Sequence, residues 1–145
     1  MSEELRYKRC VRPVSITSSD VHSTVNTRLD EHGPTLTDVA WLAGVIDGEG
    51  YVSFHNGPVI EVDSVSPSLV KAPARLFGGS ITTRQRNDAT VFRWAVYGEN
   101  AEEILKRVLP YLRYKTAQAK IVAYGSKYPR NSEMRKSQCR RLKKL

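Results

Sequence analysis

The sequence contains few cysteines and no long apolar run, and each absence excludes a class of protein. Only 2 of the 145 residues are cysteine, Cys10 and Cys139, and they lack the paired spacing of a zinc site or a disulfide framework. No stretch approaches the roughly 18 apolar residues of a membrane-spanning helix. No apolar run follows the acidic first residues, so a secretory signal is not expected. We therefore expect a reduced, intracellular protein.

Acidic residues are too few to balance the basic ones. The 23 Lys and Arg residues against 15 Asp and Glu residues give a net charge of +8, which suggests an anionic partner such as nucleic acid or a membrane surface. The excess is uneven, because residues 126–145 contain eight basic side chains and one acid, whereas residues 1–125 contain 15 and 14. Net charge alone therefore does not locate a polyanion-binding surface.

Composition divides the chain into three segments. Residues 1–35 are polar and rich in Ser and Thr, which predicts an extended or weakly ordered arm. Residues 36–125 alternate apolar-periodic runs with turn residues and are predicted to form one domain, since 145 residues suit a single core. Residues 126–145 form a basic tail, for which salt-dependent phosphate contacts are expected.

Within residues 36–125 the pattern predicts helices alternating with β-hairpins. Thr37 or Asp38 suits the N-cap of a first helix that ends near Asp47, because glycines follow. The remaining elements are predicted as two hairpins (51–55 with 59–63, and 80–86 with 91–97), a helix over 67–77, a helix ended by Pro110, and a helix from Tyr111 to about Tyr124. This order predicts the α+β class, with one four-stranded antiparallel sheet and helices on one face.

The first predicted helix has a small residue at every fourth position. Ala40, Gly44 and Gly48 therefore share one face, and such a stripe lets a second helix approach closely. Glu49 follows at the end of this helix, so two helices packed side by side would bring two Glu49 carboxylates together. Paired carboxylates are costly unless a cation binds between them, and oxygen ligands suit Mg²⁺. The adjacent faces are expected in the core and carry Trp41, Leu42, Val45 and Ile46.

The nine residues 42–50, LAGVIDGEG, resemble the signature of the LAGLIDADG homing endonucleases, with conservative changes at the fourth, seventh and eighth places. Residues 76–79 (LFGG), Trp94 and residues 110–115 (PYLRYK) are also similar to residues of that family, so the resemblance covers about 36–124. It implies an αββαββα fold with a saddle-shaped sheet and site-specific double-strand DNA cleavage. Such genes belong to mobile introns, inteins or free-standing phage elements, in a bacterial or phage-infected cell or an organelle.

The resemblance also implies roles for individual residues. Glu49 and the backbone carbonyl of Gly48 would bind Mg²⁺ or another divalent cation, and Lys115 would lie beside the scissile phosphate. Ser64 is the nearest equivalent of the polar residue that organises active-site water. Family members with one motif act as homodimers, and this chain has one motif and no internal repeat. A dimer would pair the Ala40–Gly44–Gly48 faces and favour a near-palindromic duplex.

Alternation along the strands predicts one apolar and one polar face of the sheet. The polar face carries Tyr51, Ser53, His55, Glu61, Asp63, Ser80, Thr82, Arg84, Arg86 and Arg93. Arginine and acidic side chains can recognise base edges in the major groove, so these residues are candidate DNA contacts. A solvated antiparallel sheet is also polar, but it does not account for three arginines clustered on one hairpin.

Two alternatives remain open from the sequence. One is a catalytically silent DNA-binding regulator or an RNA-splicing maturase on the same fold, and the other is a basic tail that binds RNA or lipid without specificity. The presence of both Glu49 and Lys115 favours the endonuclease. The expected partners are double-stranded DNA and a second copy of the chain, with no membrane and no small-molecule substrate.

Overall fold

A computed structural model describes residues 33–54 and 56–145. Its elements are α1 (Leu36–Glu49), β1 (Gly50–Phe54), β2 (Pro58–Ser64), α2 (Pro67–Phe77), β3 (Ser80–Arg86), β4 (Ala89–Tyr97), α3 (Gly98–Val108), a 3-10 turn (Leu109–Tyr111), α4 (Thr116–Gly125) and α5 (Glu133–Leu142). His55 and nearly all of the predicted arm lie outside the described residues. No helix within the described ranges is long and apolar enough to cross a membrane.

The four strands form one antiparallel sheet in the order β1-β2-β4-β3. The turn between β3 and β4 has positive φ at both central residues, Asn87 and Asp88, which is the two-residue geometry that matches the twist of a hairpin. Asn56 has positive φ in the turn between β1 and β2. The predicted α+β class and the four-stranded antiparallel sheet are therefore confirmed.

The core lies between the apolar face of the sheet and the helices. Trp94 is fully buried on β4, and its indole N–H donates to the carbonyl of Gly78 at 2.7 Å, which ties the end of α2 to the sheet. Alternate residues of the two central strands face the same core, as the period of two requires. The other strand and helix residues in this core include Val52, Ile60, Val62, Val96, Leu42, Ile46, Val70, Leu105, Val108 and Val122.

The first helix begins before and ends after the predicted positions. Its N-cap is Thr35, whose hydroxyl accepts the N–H of Asp38 at 3.2 Å while the Asp38 carboxylate accepts the N–H of Thr35 at 2.8 Å. At the other end the helix continues through Gly48, so Glu49 is its last residue and not the residue after it. Trp41 is 39% exposed, so its predicted place in the core is wrong.

The last predicted helix of the domain also starts in a different place. A 3-10 turn takes Leu109–Tyr111, and α4 begins only at Thr116, so the prediction of a helix from Tyr111 is wrong over its first five residues. The backbone N–H groups of residues 113–115 donate to the side chain of Asp47 instead. Contacts with a distant part of the chain thus replace the local helix that Pro110 was expected to begin.

Part of the basic tail is helical, which sequence analysis did not predict. Ser132 caps α5 by accepting the N–H of Arg135 at 3.2 Å. The Arg135 guanidinium lies 4.9 Å from the centre of the Phe54 ring, at the end of β1, and Leu142 packs against the core. Residues 133–142 are therefore partly docked on the domain through one cation–π contact and one apolar side chain.

Gly125 lies where no larger residue fits. A Cβ there would come within 2.2 Å and 2.4 Å of two ring carbons of Phe54, and Arg135 covers that ring. We expect Gly125→Ala to lower the free energy of unfolding by about 1–3 kcal/mol in urea denaturation, despite the higher helix propensity of alanine. In the control variant Gly57→Ala the added Cβ meets nothing within 4 Å, and stability should not change. Equal stability of the two variants would contradict the packing.

Candidate functional site

Helix α1 has one buried face and one exposed face. Val39, Leu42, Ala43 and Ile46 are buried against the core. The opposite face is the stripe of Ala40, Gly44 and Gly48, all exposed, and a Cβ at either glycine would meet nothing within 4 Å. Two exposed apolar residues, Leu36 at 75% and Trp41 at 39%, lie on the same helix. No described part of the chain packs against this stripe.

The C-terminal end of α1 is held by the carboxylate of Asp47. It accepts hydrogen bonds from the backbone N–H groups of Arg113 (2.7 Å), Tyr114 (3.2 Å) and Lys115 (2.9 Å). Partial burial acts to raise the pKa of Asp47, but the three backbone donors and the nearby Lys115 charge together outweigh it, so the pKa is lowered from its usual value. This carboxylate joins two segments of the chain that are more than sixty residues apart.

Lys115 is held at the same helix end by its side chain. Its ammonium donates to the carbonyl of Ile46 at 2.8 Å and to the carbonyl of Asp47 at 2.7 Å. The Ile46 carbonyl also accepts the N–H of Gly50, whereas the Asp47 carbonyl lies in the last turn, where intrahelical donors are lacking. These carbonyls form the negative end of the helix dipole, so a cation is stabilised there. The structure therefore brings Lys115, a residue suggested by sequence alone, to the helix end that carries Gly48 and Glu49.

Gly48 and Glu49 present hard oxygen donors to solvent. Both residues are exposed, and their carbonyls lie in the last turn of α1, where no helical N–H pairs with them. A carboxylate and a carbonyl oxygen suit Mg²⁺, which is commonly held by one or two carboxylates together with phosphate oxygens. The described residues contain no group of three or more His, Cys, Asp or Glu that could hold a metal alone.

The strand register places the predicted DNA-contacting residues on one face of the sheet. One cross-strand row runs through Tyr51, Glu61, Ala95 and Ser80. The next row contains Asp63, Arg93 and Thr82, and Ser53, Arg84 and Arg86 lie on the same face by alternation. Sequence analysis missed apolar members of this face, although alternation along β2 and β4 could have found them; they are Val59, Val91 and Tyr97, of which Tyr97 is 56% exposed.

Charges on this face are paired within the protein. Asp63 accepts Nε and Nη2 of Arg93 at 2.7 Å and 3.0 Å, and it also accepts Nη2 of Arg84. Nη1 of Arg93 lies 3.3 Å from the Glu61 carboxylate. The hydrogen bonds from Arg93, and then the charges of Arg93, Arg84 and Arg86, lower the pKa of Asp63 although burial opposes them. The basic and acidic side chains that sequence analysis placed on this face therefore form an ion-pair network across β2, β3 and β4.

Ser64 lies on the other face of the sheet, since it alternates with Asp63 along β2. Its hydroxyl accepts the N–H of Ser66 at 3.0 Å, and the Ser66 hydroxyl is 2.9 Å from that of Ser68. Among the described residues, the hydrogen bond of the Ser64 side chain stays within this turn. The predicted role of Ser64 in organising water stays a prediction.

An open cleft of about 540 Å³ separates α4 and α5. Its lining is basic and aromatic, with Lys120 and Tyr124 from α4, and Lys127, Arg141 and Lys144 from the residues that follow. The lining includes no acidic residue. Three of the eight basic side chains of the tail, Lys127, Arg141 and Lys144, therefore lie on one surface with Lys120, which could not be foreseen without the helix over Glu133–Leu142.

A curated protein and two solved structures are similar to the chain. No family model matches the chain. The DNA endonuclease I-CvuI of Chlorella vulgaris is 31% identical over 99 residues, which cover 57% of this chain and 60% of that protein. The chain thus matches less than two thirds of that relative's length.

Two crystal structures of the homing endonuclease I-CvuI are similar to the fold described above. In complex with its target in the presence of 2 mM Ca, that enzyme matches with a TM-score of 0.52 and 26% identity, over 63% of this chain and 67% of that chain. In complex with an I-CreI target in the presence of 2 mM Mg, with the DNA not cleaved, the TM-score is 0.51 at 26% identity, over 64% and 69%. The architecture is therefore that of a homing endonuclease.

The Asp47 contacts predict a pH-dependent contribution to stability. Because its pKa is lower in the folded state, Asp47 stabilises the fold above its unfolded pKa of about 4, and this contribution disappears as the pH falls through the folded pKa. We expect Asp47→Asn to lower the free energy of unfolding by about 1–3 kcal/mol at pH 7, because the negative charge is lost and one of the two acceptor oxygens becomes an NH2 group that cannot accept a backbone N–H. Denaturation at pH 7 and below pH 4 should show the difference shrinking in acid.

Asp88→Asn is the control, since Asp88 lies in an exposed turn at positive φ where asparagine is equally suitable. A difference for Asp47→Asn that stays constant between pH 7 and pH 3 would show that the carboxylate charge is not what holds residues 113–115.

Proposed function

We propose that the chain is a homodimeric, metal-dependent, site-specific DNA endonuclease of the LAGLIDADG homing endonuclease family. Its substrate would be a long, near-palindromic duplex, and the reaction is hydrolysis of one phosphodiester bond in each strand. The observation that carries this proposal is the exposed small-residue stripe of α1, which ends in exposed Glu49 next to the bound Lys115 ammonium.

A second copy of the chain is the proposed cover for the stripe. Ala40, Gly44 and Gly48 have no packing partner among the described residues, and their small size permits close approach of two helix backbones. A two-fold axis beside this face pairs α1 with its counterpart, and the two Glu49 carboxylates then approach each other at the same helix ends. The single carboxylate of one copy thereby becomes part of a shared site.

The proposed chemistry divides between the divalent cation and the side chains of the chain. Glu49 and the carbonyl of Gly48 would hold Mg²⁺, which supplies Lewis-acid stabilisation of phosphate charge and activation of water. Lys115, held against the carbonyls of Ile46 and Asp47, directs positive charge toward a phosphate at the helix end. Ser64 remains a proposed contributor to water organisation.

Duplex DNA would contact two surfaces of each copy. The polar face of the sheet, from Tyr51 and Ser53 to Arg86, would lie in the major groove, whose edges distinguish all four base pairs. The basic cleft between α4 and α5, with Lys120, Lys127 and Arg141, would add phosphate contacts that carry no sequence information. His55, which the structure does not describe, stays a proposed member of the first surface.

Glu49→Gln tests the proposed active site. The variant keeps the size of the side chain but loses the charge that would hold the cation, so we expect DNA cleavage with Mg²⁺ to fall about hundredfold or more. Binding of the same duplex in Ca²⁺ should change little. Cleavage of a selected duplex and its binding by gel shift are measured in parallel, with Glu103→Gln, an exposed acid on α3, as the matched control.

Full cleavage by Glu49→Gln would contradict the assignment of the site. Tight binding of a selected duplex with no cleavage by the wild type in Mg²⁺ would favour the alternative, a DNA-binding regulator on the same fold.

Gly44→Leu tests the proposed dimer. Within one copy the position is open, because a Cβ there meets nothing within 4 Å, so the variant should fold with an unchanged circular dichroism spectrum. A leucine in the middle of the stripe would keep two α1 helices apart, and sedimentation equilibrium should report a monomer that no longer cleaves DNA. The control is Glu103→Leu, which adds the same apolar group on α3. A wild-type monomer at cleavage-competent concentrations would contradict the dimer.

A further inference from the structure

The three arginines on the polar face of the sheet differ in which of their donors are already used. Arg93 has both its Nε and its Nη2 on Asp63, at 2.7 Å and 3.0 Å, and its Nη1 is 3.3 Å from Glu61. A guanidinium recognises guanine through two parallel N–H groups on one of its two edges. Each edge of Arg93 has at least one donor facing an acid, so Arg93 cannot bind a base without breaking these pairs.

Arg84 uses fewer of its N–H donors within the protein than Arg93 does. It reaches Asp63 through Nη2 only, and an Nη2 nitrogen contributes one hydrogen to each edge of the guanidinium. Among residues 33–54 and 56–145, this one contact therefore leaves one complete edge of Arg84 available for bidentate recognition. Arg84 is also exposed, on the same face of β3 as Thr82 and Arg86.

From these contacts we infer that Asp63, held by Arg93, is a positioning residue that orients Arg84 to recognise a guanine. This inference rests on the proposed DNA-binding function of the sheet. Asp63 lies on β2, Arg93 on β4 and Arg84 on β3, so the carboxylate joins side chains from three strands. Fixing the guanidinium before binding reduces the conformational entropy lost when it meets the base. Arg93 acts through Asp63 and has no base contact of its own.

The assignment makes two opposite predictions for Asp63→Asn. Loss of the carboxylate frees Arg84, so preference for guanine at one position of each half-site should fall by about tenfold. Removing a negative charge from the DNA-facing surface should at the same time strengthen binding to random duplex and make its salt dependence steeper. A merely structural role would weaken both kinds of binding, so this combination is specific to positioning.

The experiment is selection from a randomised duplex library by the full chain in Ca²⁺, followed by affinity measurements on single base-pair changes. Arg84→Lys should lose the same base preference as Asp63→Asn, and combining the two should cost no more than either alone, because they act through one contact. Asp63→Glu, which keeps the charge, should restore part of the preference. Arg86→Lys is the control, because Arg86 lies two residues along the same face and should alter a different base pair.

The outcomes separate the inference from the function on which it rests. If the wild type enriches a sequence but Asp63→Asn keeps every base preference, or if its effect adds to that of Arg84→Lys, the positioning role is wrong and the endonuclease proposal stands. If the wild type enriches no sequence at all, the proposed function itself fails, and the positioning role fails with it.

Discussion

The carboxylate of Asp47 joins the two parts of the chain that the proposed chemistry needs, the end of α1 and residues 113–115. Three backbone N–H groups of residues 113–115 converge on it, and the Lys115 ammonium returns to two carbonyls of the same helix end. These contacts act together with the apolar packing of Leu112 in the core to hold the residues preceding α4 against the end of α1. Glu49, two residues beyond Asp47, is exposed. The two acids of the motif thus have different surroundings, one bound to backbone N–H groups and one facing solvent.

The two faces of α1 differ in the size of their side chains, because one face packs in the core and the other is exposed. Large apolar residues at 39, 42 and 46 bury the inner face, while alanine and glycine at 40, 44 and 48 keep the outer face flat. Glycine within a helix costs about 1 kcal/mol relative to alanine, and nothing in the described domain fills the space above Gly44 or Gly48. A close-packed partner helix is a physical reason for such a cost. The proposed dimer would account for both glycines of the stripe.

Sequence reasoning predicted the parts of the fold that local chemistry decides. The two hairpins follow from strict alternation and Asn-containing turns, and α2 follows from Pro67 and Gly78, which bound it. It failed where distant contacts compete with local preference. The segment 112–115 would continue a helix but donates to Asp47 instead, and α5 depends on Phe54 and Leu142 contacts that composition does not show. Gly48 and Glu49 were named from the nine-residue motif, Lys115 from residues 110–115, and the polar sheet residues from alternation, whereas the pairing of Arg93 with Asp63 required the strand register.

The central claim is that α1 is both the interface between two copies and the carrier of the active site, and interchain cross-linking tests it most directly. Ala40→Cys is introduced with Cys10 and Cys139 replaced by serine, and the protein is oxidised gently. The account predicts an interchain disulfide that forms readily and leaves DNA cleavage intact, while Glu103→Cys in the same background forms none. A cross-link at Glu103→Cys that forms as fast as one at Ala40→Cys, or a cross-linked Ala40→Cys dimer that binds its duplex but cannot cut it, would contradict the account.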